Sequence, residues 1–386
     1  MTGSMAAACW QDRILGQDRI LGAGDALLDV IGLMSGTSLD GVDVAWIRTD
    51  GEDRIEPGPA LTLPYPDGFR ERLRAVLGRE APDAEIAGVE AELTHLHAQA
   101  VAALRDRHLL PKPDLIGFHG HTILHRPEDR RTWQIGDARL LSTLAGVPVV
   151  ADFRGDDVAA GGEGAPLVPV YHRALAAGLP RPLAILNIGG VANVTWIGAD
   201  ARDLIAFDTG PGNAPLDDWV RRRTGNPYDA DGTLSLSGRP DPAVEAALLA
   251  RPFFARQAPK SLDRDAFGAF LEREIGEMTV VDGAATLAAC IVAAVAAALR
   301  HLPERPRHWL VTGGGRHNQA VMSGLARRLG VPVEPVDGRG WNGDALEAQA
   351  FAYLARRHLR GLPISFPGTT GVPRPLTGGR FWPPAR

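Results

Sequence analysis

The chain has 386 residues, 45% of them hydrophobic and 23% charged, with 46 acidic against 41 basic side chains and a formal net charge of −5. That length suits two domains with sizeable cores, and a mildly acidic balance without a basic run argues against nucleic acid as a partner. Two cysteines, Cys9 and Cys290, are too few for a disulfide framework and fit a reducing cytoplasm.

Glycine (45) and proline (30) are abundant yet spread along the chain, which predicts many tight turns rather than disorder. Lysine occurs only at Lys112 and Lys260, no Gly-Lys pair exists for a Walker A loop, and HExxH and GxSxG are absent. Residues 1–28 read as a disordered tail, in which Gln-Asp-Arg-Ile-Leu-Gly stands twice in tandem and its charges interrupt any signal-peptide core. Beyond it strands and helices alternate, which predicts an α/β protein. Val30–Met34 and Val42–Ile47 flank the turn Ser35–Gly41, and Leu183–Ile188 and Val191–Ile197 flank Gly189-Gly190. Two such hairpins half a chain apart predict two α/β domains, 29–157 and 158–364. The Gly/Pro-rich stretch Gly155–Pro169 is the expected crossover, and residues 365–386 are free to pack back onto the first domain. Ala284–Leu299 is alanine-rich and shorter than the ~20 residues of a membrane span, so it reads as a core helix and no membrane partner is expected.

Five segments carry candidate chemistry. In the first hairpin, Gly36, Thr37, Ser38, Leu39, Asp40, Gly41, Val42 and Asp43 combine close backbone approach with hydroxyl donors, a phosphate-binding composition, although Asp-Gly alone is a common turn. Asp208 stands at the end of an apolar run, followed by Gly210 and by Asn213 as expected N-cap of a helix with Pro215 in its first turn. Gly313, Gly314 and Gly315 lie between a strand and a helix, where a planar group could rest on bare backbone. Asp344 and Glu347 have capping-box spacing, so Glu347 is either a cap or a site residue. His119 and His121 alternate on a strand beside Thr122. Without cysteine or a carboxylate partner they suggest polar-substrate binding rather than a metal. Arg154 suits a substrate carboxylate, or else a salt bridge with Asp152.

Taken together, Gly-Leu-Met-Ser-Gly-Thr-Ser-Leu-Asp-Gly-Val-Asp at 32–43, Phe-His-Gly-x-Thr, Gln134-Ile-Gly-Asp, Val-Ala-Asp-Phe-Arg, Gly-Gly-x-Gly-Ala-Pro-Leu-Val-Pro, Leu-Asn-Ile-Gly-Gly-Val-Ala-Asn, Phe-Asp-Thr-Gly-Pro-Gly-Asn and Val-Thr-Gly-Gly-Gly resemble the anhydro-N-acetylmuramic acid kinases of peptidoglycan recycling. They follow the family's order over most of 29–386, with His121 where the family usually has Gln. The resemblance implies a two-domain hexokinase/actin-like (ribonuclease H-like) fold with ATP and substrate in the interdomain cleft. It further implies ATP and Mg2+ as cofactors and a cytoplasmic enzyme acting on 1,6-anhydro-N-acetylmuramic acid, with the question of a homodimer left open. The superfamily's acidic residues at the ends of its phosphate-binding strands are replaced here by Leu33 or Met34 and by Asn187, leaving Asp40 as the substitute metal ligand. Asp208 takes the role of base for the attacking water. The nucleotide falls to Gly36–Asp43, Gly189, Gly190, Gly210 and Gly313–Gly315, and the sugar to His121, Thr122, Arg154, Asn213 and Glu347. An ordinary amino-sugar or hexose kinase of the same superfamily, or a nucleotide-sensing relative without turnover, are the competing readings.

Overall fold

The computed structural model describes residues 24–36, 39–200, 203–264 and 266–384. Thr37, Ser38 and residues 1–23 of the expected tail lie outside the described residues. The first hairpin is β1 (Leu28–Ser35) and β2 (Gly41–Thr49), antiparallel, with β3 (Ile55–Pro64) continuing the meander. After the long helix Ala84–His108, β4 (Leu115–Arg126) returns parallel to β1. The far half of β4 turns back on β5 (Arg131–Ile135), and its near half pairs with β6 (Val149–Ala151).

The second half repeats this plan. β7 (Leu183–Ile188), β8 (Val191–Ile197) and β9 (Leu204–Pro211) form a meander, and β10 (Trp309–Thr312) lies parallel to β7. β11 (Val333–Pro335) borders that sheet, whereas β12 (Arg380–Trp382) pairs with β6 in the first. The strand orders are β12-β6-β4-β1-β2-β3, with β5 on β4, and β11-β10-β7-β8-β9. A meander cannot reach a parallel neighbour through a tight turn, so each sheet needs a helical crossover. Ala84–His108 supplies one and Val280–Ala298 the other.

Val280–Ala298 is the expected core helix. Thr279 caps it by accepting from the Asp282 N–H, and it is enclosed by neighbouring helices and β9. Residues Val280–His301 are apolar and long enough to cross a membrane by length and composition, but most of that surface is buried inside the protein. The chain's Gly-x-Gly-x-x-Gly spacing, Gly338 to Gly343, falls in a 3-10 turn and the irregular stretch after it. A dinucleotide site needs that spacing between a strand and a helix.

The helix Leu346–Leu359 comes from the later half of the sequence but lies directly on β1, β2 and β4. Gly32 and Gly117 are paired across β1 and β4 and make this possible. A Cβ on Gly32 would sit 1.7 Å from the Ala348 carbonyl oxygen, and one on Gly117 2.1 Å from that of Phe351. Because these obstacles are backbone, a side chain cannot be absorbed by a rotamer change. Gly32→Ala is therefore expected to destabilise by roughly 1–3 kcal/mol or more, read as a fall in Tm, with an unchanged Tm as the contrary result. Through this helix and Pro169–Leu175 the two sheets share one core. In it Val30, Val150 and Phe153 meet Val170, Ile185, Leu310 and Phe351.

Candidate active site

Asn187 on β7, Asn193 on β8 and Asp208 on β9 stand in register across three neighbouring strands. Together with Thr312 at the end of β10 they form one wall of a cleft. The facing wall carries Met34 from β1, Arg154 from the segment after β6, and Glu347 and Phe351 from the helix Leu346–Leu359. Asp208, Arg154 and Glu347 therefore converge although more than fifty residues separate each from the next.

Asp208 is clasped by one short segment. Its N–H donates to the Lys260 carbonyl at 2.9 Å, and its Oδ2 accepts from the Leu262 N–H at 2.7 Å. Burial pushes its carboxyl up to about 7, against the Leu262 hydrogen bond and the positive charge of Arg154, which favour the ionised form. Arg154 is held by two acceptors: its Nε donates to His119 Nε2 at 3.0 Å and its Nη1 to the Gly164 carbonyl at 2.7 Å. His119 can accept because burial keeps its imidazole neutral, with Nδ1 toward the Gly120 carbonyl at 2.8 Å. Asp152 does not pair with Arg154; its carboxylate accepts from Arg380 instead.

Glu347 is not a cap. The helix starts at Leu346 with Ala345 in the N-cap position and no side-chain cap. Asp344 instead forms a bidentate pair with Arg316, at 2.7 and 2.9 Å, since that buried guanidinium needs compensation. Glu347 accepts from Asn187 Nδ2 at 3.0 Å, and burial raises its carboxyl above the usual range. Asn213 does occupy the N-cap position of Ala214–Thr224, but its amide donates to the Ile188 carbonyl at 3.0 Å and caps nothing.

Two of the glycine loops adjoin. A Cβ on Gly313, whose φ is 75°, would fall 2.4 Å from Asn187 Oδ1, and one on Gly315 2.4 Å from the Ile188 side chain. The Gly313–Gly315 turn thus lies against the Gly189-Gly190 hairpin, with Asn213 between them. Gly210 instead turns its open face to Ala294 and Phe254. In the first hairpin, Leu39 and Val42 send their side chains into the hydrophobic core beside the first sheet, so only their backbone is available to a ligand. Asp40 is exposed, and its carbonyl accepts from the Tyr65 N–H at 3.0 Å. Asp43 is pushed up to about 7 by burial, with Asp40, Glu347 and Asp344 adding like charge.

His121 and Thr122 are not among the residues that line the cleft. The left-handed backbone at Gly120, φ 73°, interrupts the alternation of β4, so His119 and His121 take different partners. His121 is buried with Nδ1 2.7 Å from the Ser35 hydroxyl, which lies 2.5 Å from the Tyr65 hydroxyl. Thr122 accepts from Gln134 Nε2 at 3.2 Å. Asn193 and Thr312 are not among the site residues expected from the sequence, and Asn187 is named there only as the residue in place of a superfamily acid. Their signal was a polar side chain breaking an otherwise apolar strand near its end. Among the described residues no group of three or more His, Cys, Asp or Glu is arranged to hold a metal ion.

Comparison with known proteins identifies the family. Residues 28–384 match the family described as anhydro-N-acetylmuramic acid kinase. The chain is 55% identical over 363 residues to the anhydro-N-acetylmuramic acid kinase of Rhodospirillum rubrum, covering 94% of this chain and 96% of that one. It is also 55% identical over 358 residues to the enzyme of that name from Acidiphilium cryptum, covering 92% and 98%. A distant likeness, at 11% identity and a TM-score of 0.47, extends over 86% of this chain and 99% of component A of (R)-2-hydroxyglutaryl-CoA dehydratase from Acidaminococcus fermentans. By the extent and level of these sequence matches, the chain belongs to the anhydro-N-acetylmuramic acid kinase family.

Proposed function

We propose that the protein phosphorylates O6 of 1,6-anhydro-N-acetylmuramic acid with ATP while water opens the anhydro ring, giving N-acetylmuramic acid 6-phosphate for cell-wall recycling in the cytoplasm. The observation that carries this reading is the buried carboxyl of Asp208, which shares a cleft with Arg154 and Glu347 from the opposite wall. Water attacks the anomeric carbon and gives its proton to Asp208. The C1–O6 bond breaks, and its electron pair lets O6 bond to the γ-phosphorus as ADP leaves. O6 thus needs no separate proton donor, and one base is enough.

Arg154 fits the sugar's lactyl carboxylate and Glu347 its hydroxyl groups. The backbone of Gly36, of Leu39–Asp43, of Gly189-Gly190 and of Gly313–Gly315 fits the nucleotide, as glycine-lined N–H groups suit phosphate oxygens. Mg2+ would neutralise phosphate charge. It typically takes one or two carboxylates together with phosphate oxygens and water, and the hard oxygen donors of Asp40 and Asp43 fit that requirement. Turnover in 18O-enriched water tests the reaction. Label at the anomeric oxygen of the 6-phosphate above background exchange is the expected result. Unlabelled product, or a preference for free hexoses, would favour an ordinary sugar kinase.

A further inference from the structure

The segment that clasps Asp208 is itself held from outside. Between Lys260, whose carbonyl receives the Asp208 N–H, and Leu262, whose N–H reaches Asp208 Oδ2, stands Ser261. Its N–H donates to Glu163 Oε2 at 3.2 Å and its hydroxyl donates to the same oxygen. Glu163 lies in the crossover between the two halves, on a turn with little freedom. Its N–H donates to the Thr370 carbonyl at 2.6 Å. The buried Asp157 carboxylate accepts from the Gly164 N–H at 2.7 Å and from the Thr370 hydroxyl at 2.6 Å. The Gly164 carbonyl is also one of the two acceptors that hold Arg154. A single turn therefore grips Arg154 on one side of the cleft and, through Ser261, the segment that orients Asp208 on the other.

We infer that Glu163 and Ser261 are positioning residues that fix the Asp208 carboxylate through the Leu262 N–H and tie its alignment to the placement of Arg154. The inference rests on the assignment of Asp208 as the base. Neither residue lines the cleft, so neither needs to touch the sugar to affect the reaction. Glu163 also acts by charge. Of the ionised groups around Asp208, Arg154 and Lys260 favour its ionised form and Glu163 opposes it.

Ser261→Ala removes the hydroxyl bond and leaves the Glu163 charge in place. A displaced base is expensive in rate, so kcat is expected to fall roughly 10-fold, with KM for ATP and the acid limb of the pH profile unchanged. Glu163→Gln keeps an acceptor for Ser261 but removes the negative charge, so the acid limb of kcat is expected to move to lower pH. A merely structural role would not move the acid limb. In the Asp208→Asn background, Ser261→Ala should cost nothing further, because there is no base left to align. An equal loss in both backgrounds, or an acid limb that stays fixed in Glu163→Gln, would overturn the inference. Full activity of Asp208→Asn alone would instead remove the base assignment and the inference with it. Should Ser261→Ala not fold, the Glu163→Gln pH profile decides the matter.

Discussion

Replacing Asp208 by asparagine is expected to lower kcat by about 10²–10⁴-fold, with ATP and sugar affinity nearly unchanged. Asparagine keeps the shape and can still accept from the Leu262 N–H, but it cannot take a proton from water. Stability should move the other way. The Asp208 carboxyl is pushed up to about 7 in the folded protein, well above the ordinary aspartate value of 3.8. The folded state thus holds a proton that the unfolded state has released, and stability falls as pH rises between those two values. Above pH 7 the wild type carries the full cost of a buried charge and the asparagine variant carries none. Its Tm should therefore equal or exceed that of the wild type while activity is lost. For the wild type, kcat should decline on the acid side as Asp208 protonates. Paired rate and melting measurements across pH decide the point. A fully active variant would overturn the mechanism, although the family assignment would stand.

Arg154→Lys should be the most damaging change that retains charge. The arginine fork uses Nε on His119 and Nη1 on the Gly164 carbonyl, which fixes the plane of the guanidinium and directs it at the cleft. Lysine cannot reproduce two fixed contacts and still offer a planar donor edge. Hydrogen bonds to charged groups contribute about 1.5–3 kcal/mol each. A loss of roughly 10–100-fold in kcat/KM for the anhydro-muramic substrate is expected on that scale. The loss should appear mainly in KM for the sugar. An anhydro-sugar without the lactyl carboxylate should be used poorly by the wild type and should distinguish much less between wild type and variant. If both substrates suffer equally, Arg154 serves the phosphate or the fold rather than the carboxylate.

Most of the architecture was legible because its signals are local. Apolar runs bounded by glycine mark the two hairpins, and β1–β2 and β7–β8 form where those runs lie. The segments at Asp208 and Gly313–Gly315 were legible for the same reason, since a strand followed by small residues and a helix is a short-range pattern. Three features were not. Asp344 and Glu347 have the spacing of a capping box, but Arg316, distant in sequence, claims Asp344, and Asn187 claims Glu347. Asn213 has the position of a cap, yet the Ile188 carbonyl at the end of β7 takes its amide. Period-two alternation would put His119 and His121 on one face, and a single left-handed glycine between them gives the two rings unrelated surroundings. In each case a tertiary partner outbids a local preference, and one sequence cannot display that partner.

The helix Leu346–Leu359 and strand β12 bear on how the chain is made. The apolar face of β1, β2 and β4 is emitted early in synthesis, but the helix that covers it and the strand that borders β6 follow only after every strand of the second sheet. Domains generally fold as units during synthesis at ~5–20 residues per second. Here the first sheet stays uncovered for a delay of the order of tens of seconds on that scale, while the second half is still being made. The nascent amino-terminal half therefore keeps that apolar face exposed until the helix Leu346–Leu359 has been made.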